Sequence, residues 1–240
     1  MQSLETRAIL ELWESGRGRH PLDRALLLAD LAGSEIGQQL APERLSELPL
    51  GMINRRLLRL RQSLFGAGLT SMVRCPACQE TIEVSLQLAD LLAVPERDET
   101  RALRLEEQGH VFRPPSLKDL AALLTVPERD DGGLALLRLC CLDGEPEAET
   151  AAALLEPVGR AMEVLDPLAD LDIRLTCGAC GAASSATLDI GRFLWAEIET
   201  EAKTLLREVD AIARVYGWGE AEILALSPAR RRSYLDLVLA

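Results

Sequence analysis

Aromatic side chains are nearly missing from this chain: three tryptophans, two tyrosines and three phenylalanines in 240 residues. So few rings leave little material for stacking platforms, which argues against single-stranded nucleic acid as a ligand. Basic residues are outnumbered as well, 26 Lys and Arg against 38 Asp and Glu, for a formal charge of −12. Phosphate neutralisation needs a basic face, so nucleic acid in general is disfavoured. Only two histidines occur, His20 before a proline and His110 in a strand-like run. Neither has a nucleophile or a carboxylate pair at recognisable spacing, and a glycine-rich phosphate loop is lacking, so neither an enzyme nor a small-molecule substrate is expected. Charge interrupts every apolar run well short of a bilayer-spanning length, and Met1-Gln2-Ser3-Leu4-Glu5 does not begin a basic-then-apolar leader. The expectation is a soluble protein with neither membrane span nor signal peptide. Free-looking Cys140 and Cys141 beside a metal-type cysteine pattern favour a reducing, cytoplasmic setting.

What is present begins with 48% apolar residues, enough to build a substantial core in one or two domains. The organising feature is a repeated Cys-x-x-Cys: Cys75-Pro76-Ala77-Cys78 and Cys177-Gly178-Ala179-Cys180. Strand-like runs flank both, Ser71 to Arg74 and Thr81 to Leu86 around the first, Asp172 to Thr176 and Ser184 to Ile190 around the second. Two residues between thiolates let both sulfurs of a tight turn face one tetrahedral ion, and two such turns complete four ligands. Disulfides and an iron–sulfur or redox role are the competing readings. Matching contexts without an aromatic-Cys-Gly-Pro-Cys signature favour structural zinc held by Cys75, Cys78, Cys177 and Cys180. Four thiolates leave no open coordination position, so the site should hold structure together and not catalyse.

The remaining pattern predicts an α+β, helix-dominated fold: a helical N-terminal segment 1–69, a four-cysteine zinc-ribbon-like β element over 70–190 with knuckles at 75–78 and 177–180, an α/β lobe inserted at 87–170, and a helical C-terminal segment 191–240. Helices are expected over 3–14, 21–31 with a stop at Gly33, 42–48, from Pro49 onward, 86–92, 117–124, 134–142, 151–165 with an interruption near Pro157, 193–215, 218–226, and from Ser227-Pro228 to Leu239. Adjacent Cys140 and Cys141 read as buried core thiols of one helix. Residues 102–105 and 110–113 read as a hairpin with Gly109 in its turn, and Ser116 as the cap of the helix that follows. Val94-Pro95-Glu96-Arg97-Asp98 recurs at 126–130, a repeat too short to establish duplication.

One stretch departs from the acidic composition: Gly51 to Arg74 has no Asp or Glu but holds Arg55, Arg56, Arg59, Arg61 and Arg74. A helical stripe of Ile53, Leu57, Leu60 and Leu64 would leave Arg55, Arg56 and Arg59 outside, as a solvated face, internally paired with the many acids elsewhere, or as a docking face for an acidic partner. Arg230, Arg231 and Arg232 sit unfavourably in the first turns of the last helix, a mild cost that reads either as plain solvation, the commoner case, or as a surface use. With Tyr216, Trp218 and Tyr234 they complete the candidate partner contacts.

The order of several motifs resembles the T-even-type phage baseplate hub assembly chaperone family, in the zinc-ribbon version associated with phage-like contractile injection systems. The residues concerned are Leu48-Pro49-Leu50-Gly51 with Asn54-Arg55-Arg56-Leu57-Leu58, Leu64-Phe65-Gly66, the two cysteine pairs, Phe112-Arg113-Pro114-Pro115 with Asp119-Leu120, Trp195 to Glu199, Tyr216-Gly217-Trp218, Ser227 and Tyr234-Leu235. The resemblance spans about residues 20–240. It implies a cytoplasmic, non-enzymatic protein that binds baseplate hub or wedge proteins during assembly or in the particle. A zinc-ribbon adaptor for transcription or nucleic acid is the alternative, with Gly51 to Arg74 as its basic surface.

Overall fold

The computed structural model describes residues 6–35, 37–95, 104–126 and 131–239. In chain order its elements are α1 (Thr6–Gly16), α2 (Pro21–Glu35), α3 (Pro42–Ser46), α4 (Leu50–Phe65), β1 (Gly68–Arg74), β2 (Thr81–Gln87), α5 (Leu88–Leu92), β3 (Leu105–Glu107), β4 (His110–Phe112), α6 (Leu117–Leu123), α7 (Gly132–Cys140), α8 (Ala148–Leu165), β5 (Asp172–Thr176), β6 (Ala183–Thr187), α9 (Ile190–Tyr216), α10 (Glu220–Leu224) and α11 (Pro228–Leu239). Helix dominates, and the described strands form three separate antiparallel pairs, β1–β2, β3–β4 and β5–β6. The start of the first expected helix, the first two residues of the expected 102–105 strand and most of the two Val-Pro-Glu-Arg-Asp segments lie outside the described residues.

The chain divides into two units, Pro21–Gly191 and Met1–His20 with Arg192–Ala240. An N-terminal segment of 1–69 is therefore not one body, since α1 groups with the C-terminal helices. In that smaller unit Leu10 packs with Ala202 and Leu205, with Trp13 and Leu224 alongside. Ring stacking joins Tyr216 to Trp218 at 5.1 Å, and Tyr234 meets both edge-on.

In the larger unit α4 is the hub, packed on α2 and α5. Its buried stripe is Ile53, Leu57, Leu58 and Leu60. Helix α2 runs past the expected stop to Glu35, and Gly33 stays helical. There a Cβ would lie 2.3 Å from Arg56 Nη1, so glycine is required by the guanidinium that packs over it. Helix α8 likewise continues through Pro157, where an interruption is expected. Its Ala151, Leu154 and Val158 are fully sunk into a cluster with Phe112 and Leu137, and that burial offsets a proline cost of about 3 kcal/mol. This cluster is the core of the inserted lobe.

At the head of the lobe Gln108 and Gly109 have φ of 48° and 82°, so β3 and β4 are joined by a two-residue turn of left-handed backbone. Ser116 caps α6 reciprocally with Asp119, whose carboxylate also receives both Arg113 Nη groups at 2.6 and 2.8 Å. Helix α7 ends at Cys140, which leaves Cys141 in extended backbone bridged to Phe112. The two adjacent cysteines are thus not both core thiols of one helix: Cys140 is buried and Cys141 only half-buried.

Candidate metal centre

The first knuckle joins β1 to β2, paired from Gly68↔Gln87 to Arg74↔Thr81. The second joins β5 to β6, paired from Asp172↔Thr187 to Thr176↔Ala183. Strand β6 stops at Thr187, short of the expected Ile190, because Ile190 already opens α9. The two knuckles close alike. Cys75 N–H donates to Glu80 O (2.8 Å) and Gln79 N–H to Cys75 O (2.9 Å); Cys177 N–H donates to Ala182 O (2.9 Å) and Gly181 N–H to Cys177 O (2.8 Å). The residue after the second cysteine is left-handed in both, Gln79 at φ 62° and Gly181 at φ 72°. Glycine takes that conformation freely, whereas Gln79 carries a cost of about 1–2 kcal/mol that the closed turn must hold down.

These matching turns bring four sulfurs from opposite sides of the insertion within 4.8 Å of one another. Cys75 Sγ lies 3.7 Å from Cys180 Sγ, and Cys78 Sγ lies 3.7 Å from Cys177 Sγ. A disulfide would need about 2.05 Å, so the sulfurs are unbonded. Four ligands at about 2.3 Å from one tetrahedral ion lie about 3.8 Å apart, close to the two 3.7 Å separations. Cys75 and Cys177 are buried, while Cys78 and Cys180 face outward. The amides of Cys78 and Ala77 pull the Cys75 thiol down to about 7. The Glu80 amide pulls on Cys78 in the same sense, yet the neighbouring Cys180, burial, Cys75 and Cys177 together push it up to about 12. Sulfurs this close do not all ionise without a cation among them. The cluster can hold a metal ion, and with four protein donors it has no vacant position.

The two arms are also fastened away from the sulfurs. Asp166, buried just ahead of β5, accepts the Gly51 amide at the start of α4 (2.9 Å). Asn54 Nδ2 donates to the Leu168 and Ala169 carbonyls at 2.8 and 3.3 Å. The first arm is held by Arg61, buried, which donates to the Gly66 carbonyl (2.7 Å) and to that of Gly68.

The structure ties much of the arginine-rich stretch to backbone carbonyls. Arg56 is buried and donates to the Ala29 and Gln38 carbonyls near the end of α2 (3.4 and 3.1 Å). Arg55 donates to the Leu92, Val94 and Pro95 carbonyls after α5 (3.4, 2.6 and 3.1 Å). These guanidiniums cap carbonyl-rich chain ends, where a cation also suits the helix dipole. Arg56 is therefore unavailable to a partner, and Arg59 is half-buried. In the last helix Arg231 is buried too, with its Nε 2.5 Å from Glu208 Oε2, whereas Arg230 and Arg232 are exposed. Tyr216, Trp218 and Tyr234 spend much of their surface on one another.

Sequence spacing did not reveal a second constellation, His110, Cys141 and Asp143, whose ligand-type atoms also lie within 4.8 Å. Its members come from β4 and from the strand-like segment after α7, so only the tertiary pairing joins them. Among the described residues no helix is long and apolar enough to cross a membrane. Neither family models, nor curated proteins, nor solved structures yield a match to this chain.

Proposed function

We propose that the chain is a non-enzymatic assembly chaperone or structural component of the baseplate of a phage-tail-like contractile injection system, acting by protein–protein binding around a structural zinc ion. The observation that carries this reading is the motif series from Leu48 to Leu235, which resembles that chaperone family, together with a saturated four-thiolate centre that suits a scaffold and offers no site for turnover. Support comes from where the motif residues fall. Gly51 and Asn54 make the lock to 166–169, Arg113 and Asp119 brace the cap of α6, and Tyr216, Trp218 and Tyr234 form the ring cluster.

Zinc suits four thiolates at tetrahedral spacing better than a hard cation would. A hub or wedge partner would meet, on the smaller unit, exposed Arg230 and Arg232 with the outer edges of the ring cluster; half-buried Arg59 is a separate candidate contact on the larger unit. Affinity capture of the tagged chain from cells expressing an injection-system gene cluster should recover a hub or wedge component. Recovery of none while particles assemble would refute the proposal. Salt-dependent retention on DNA or RNA would instead favour the adaptor reading.

A further inference from the structure

The inserted lobe carries a donor set that the four-cysteine centre does not use. Segment 141–143 lies alongside β4 through one isolated antiparallel bridge: Leu142 N–H donates to Val111 O (2.8 Å), Arg113 N–H to Cys140 O (3.0 Å), and Cys141 bridges Phe112. That pairing aligns three side chains of different chemistry. Asp143 Oδ1 accepts from the Val111 amide at 3.2 Å and from the Cys141 thiol at 3.1 Å. His110 Nδ1 lies 3.6 Å from the same oxygen, is itself buried, and makes no hydrogen bond. A buried imidazole nitrogen without a partner is costly, and here it faces a thiol and a carboxylate.

We propose that His110 Nδ1, Cys141 Sγ and the Asp143 carboxylate form a second metal site for a borderline divalent ion of the zinc type. Nitrogen, sulfur and oxygen donors at about 2.0–2.3 Å from a tetrahedral ion stand about 3.3–3.7 Å apart. Two separations, 3.1 and 3.6 Å, lie within or near that range, and all three ligand atoms lie within 4.8 Å of one another. Magnesium and calcium are excluded by the thiolate and imidazole, which those ions avoid. On binding, Cys141 gives its proton to solvent and Nδ1 gains the partner it lacks. The base is firm, because Cys141 packs on the Phe112, Leu137 and Leu154 cluster, while Asp143 is exposed. Three protein donors leave a fourth position for water, in contrast to the closed centre between the hairpins. The ion would clip the end of α7 to the β3–β4 hairpin.

The test is a cobalt titration of the reduced, metal-free full chain, followed by its visible absorption. Two equivalents should bind, the first with the intense sulfur-to-cobalt bands of four thiolates and the second with bands of about a quarter that intensity. His110→Ala and Cys141→Ser should each lose the second equivalent and keep the first, which also reports that the variant is folded. A single equivalent in the unaltered chain, or two in both variants, would overturn the site. A measurement without mutation is the alkylation of Cys141, read by peptide mass: zinc should slow it at least tenfold, and an unchanged rate would count equally against the proposal.

Discussion

Replacing Gly51 by alanine separates helix propensity from tertiary structure, because the two predict opposite signs. Gly51 sits in the first turn of α4, where alanine should gain up to about 1 kcal/mol over glycine. A Cβ there would lie 1.9 Å from Asp166 Oδ1 and 2.7 Å from its Cγ. The carboxylate must then move, and the move breaks its 2.9 Å bond to the Gly51 amide in a buried place. A hydrogen bond to a charged group is worth about 1.5–3 kcal/mol. The net expectation is that Gly51→Ala destabilises by about 1–2 kcal/mol. In an Asp166→Ala background the carboxylate is gone and only the Ala169 backbone N, at 3.1 Å, stays close, so the same substitution should cost much less or turn neutral, with a coupling of about 1–2 kcal/mol between the sites. Denaturant unfolding of the four proteins under one reducing, metal-saturated condition measures this. Gly51→Ala that stabilises the unaltered chain, or has the same effect in both backgrounds, would refute the lock between α4 and the approach to β5.

Removing the metal should loosen both hairpins together: amide exchange in 68–87 and in 172–187 should accelerate in parallel on chelation or in Cys78→Ser, and acceleration confined to one hairpin would contradict a shared ion. Burial alone would raise the Asp119 pKa, but hydrogen bonds from Arg113 and Ser116 hold it below the usual value. Its folded value is the lower one, so its contribution is fully present above about pH 4 and fades as pH falls through the folded pKa. Asp119→Asn should flatten that acid limb of a plot of unfolding midpoint against pH, and an unchanged limb would count against the Arg113–Asp119 brace. In the last helix Arg231→Ala should cost about 3 kcal/mol by stripping Glu208 of a buried partner, whereas Arg230→Ala should stay within about 0.5 kcal/mol. Equal thermal shifts for the two would show that burial does not distinguish them.

The sequence by itself determined most of the local elements and the four-cysteine cluster that can hold a metal ion. Two Cys-x-x-Cys turns, each between strand-like runs, declare their chemistry because the ligand spacing lies within one turn of backbone. Ser116, Gly109 and Pro228 mark their elements for the same reason, since caps and tight turns are settled by neighbours in the chain. Only the tertiary structure decided what long-range contacts decide. It put the guanidiniums of Arg55 and Arg56 on carbonyls of other elements, buried Arg231 on Glu208, and carried α8 through Pro157. It also brought His110 to Cys141 and Asp143, and Asp166 to Gly51. For the side-chain pairings the partner lies beyond the local turn, and no spacing rule encodes a carbonyl or a carboxylate that arrives only when the chain folds back.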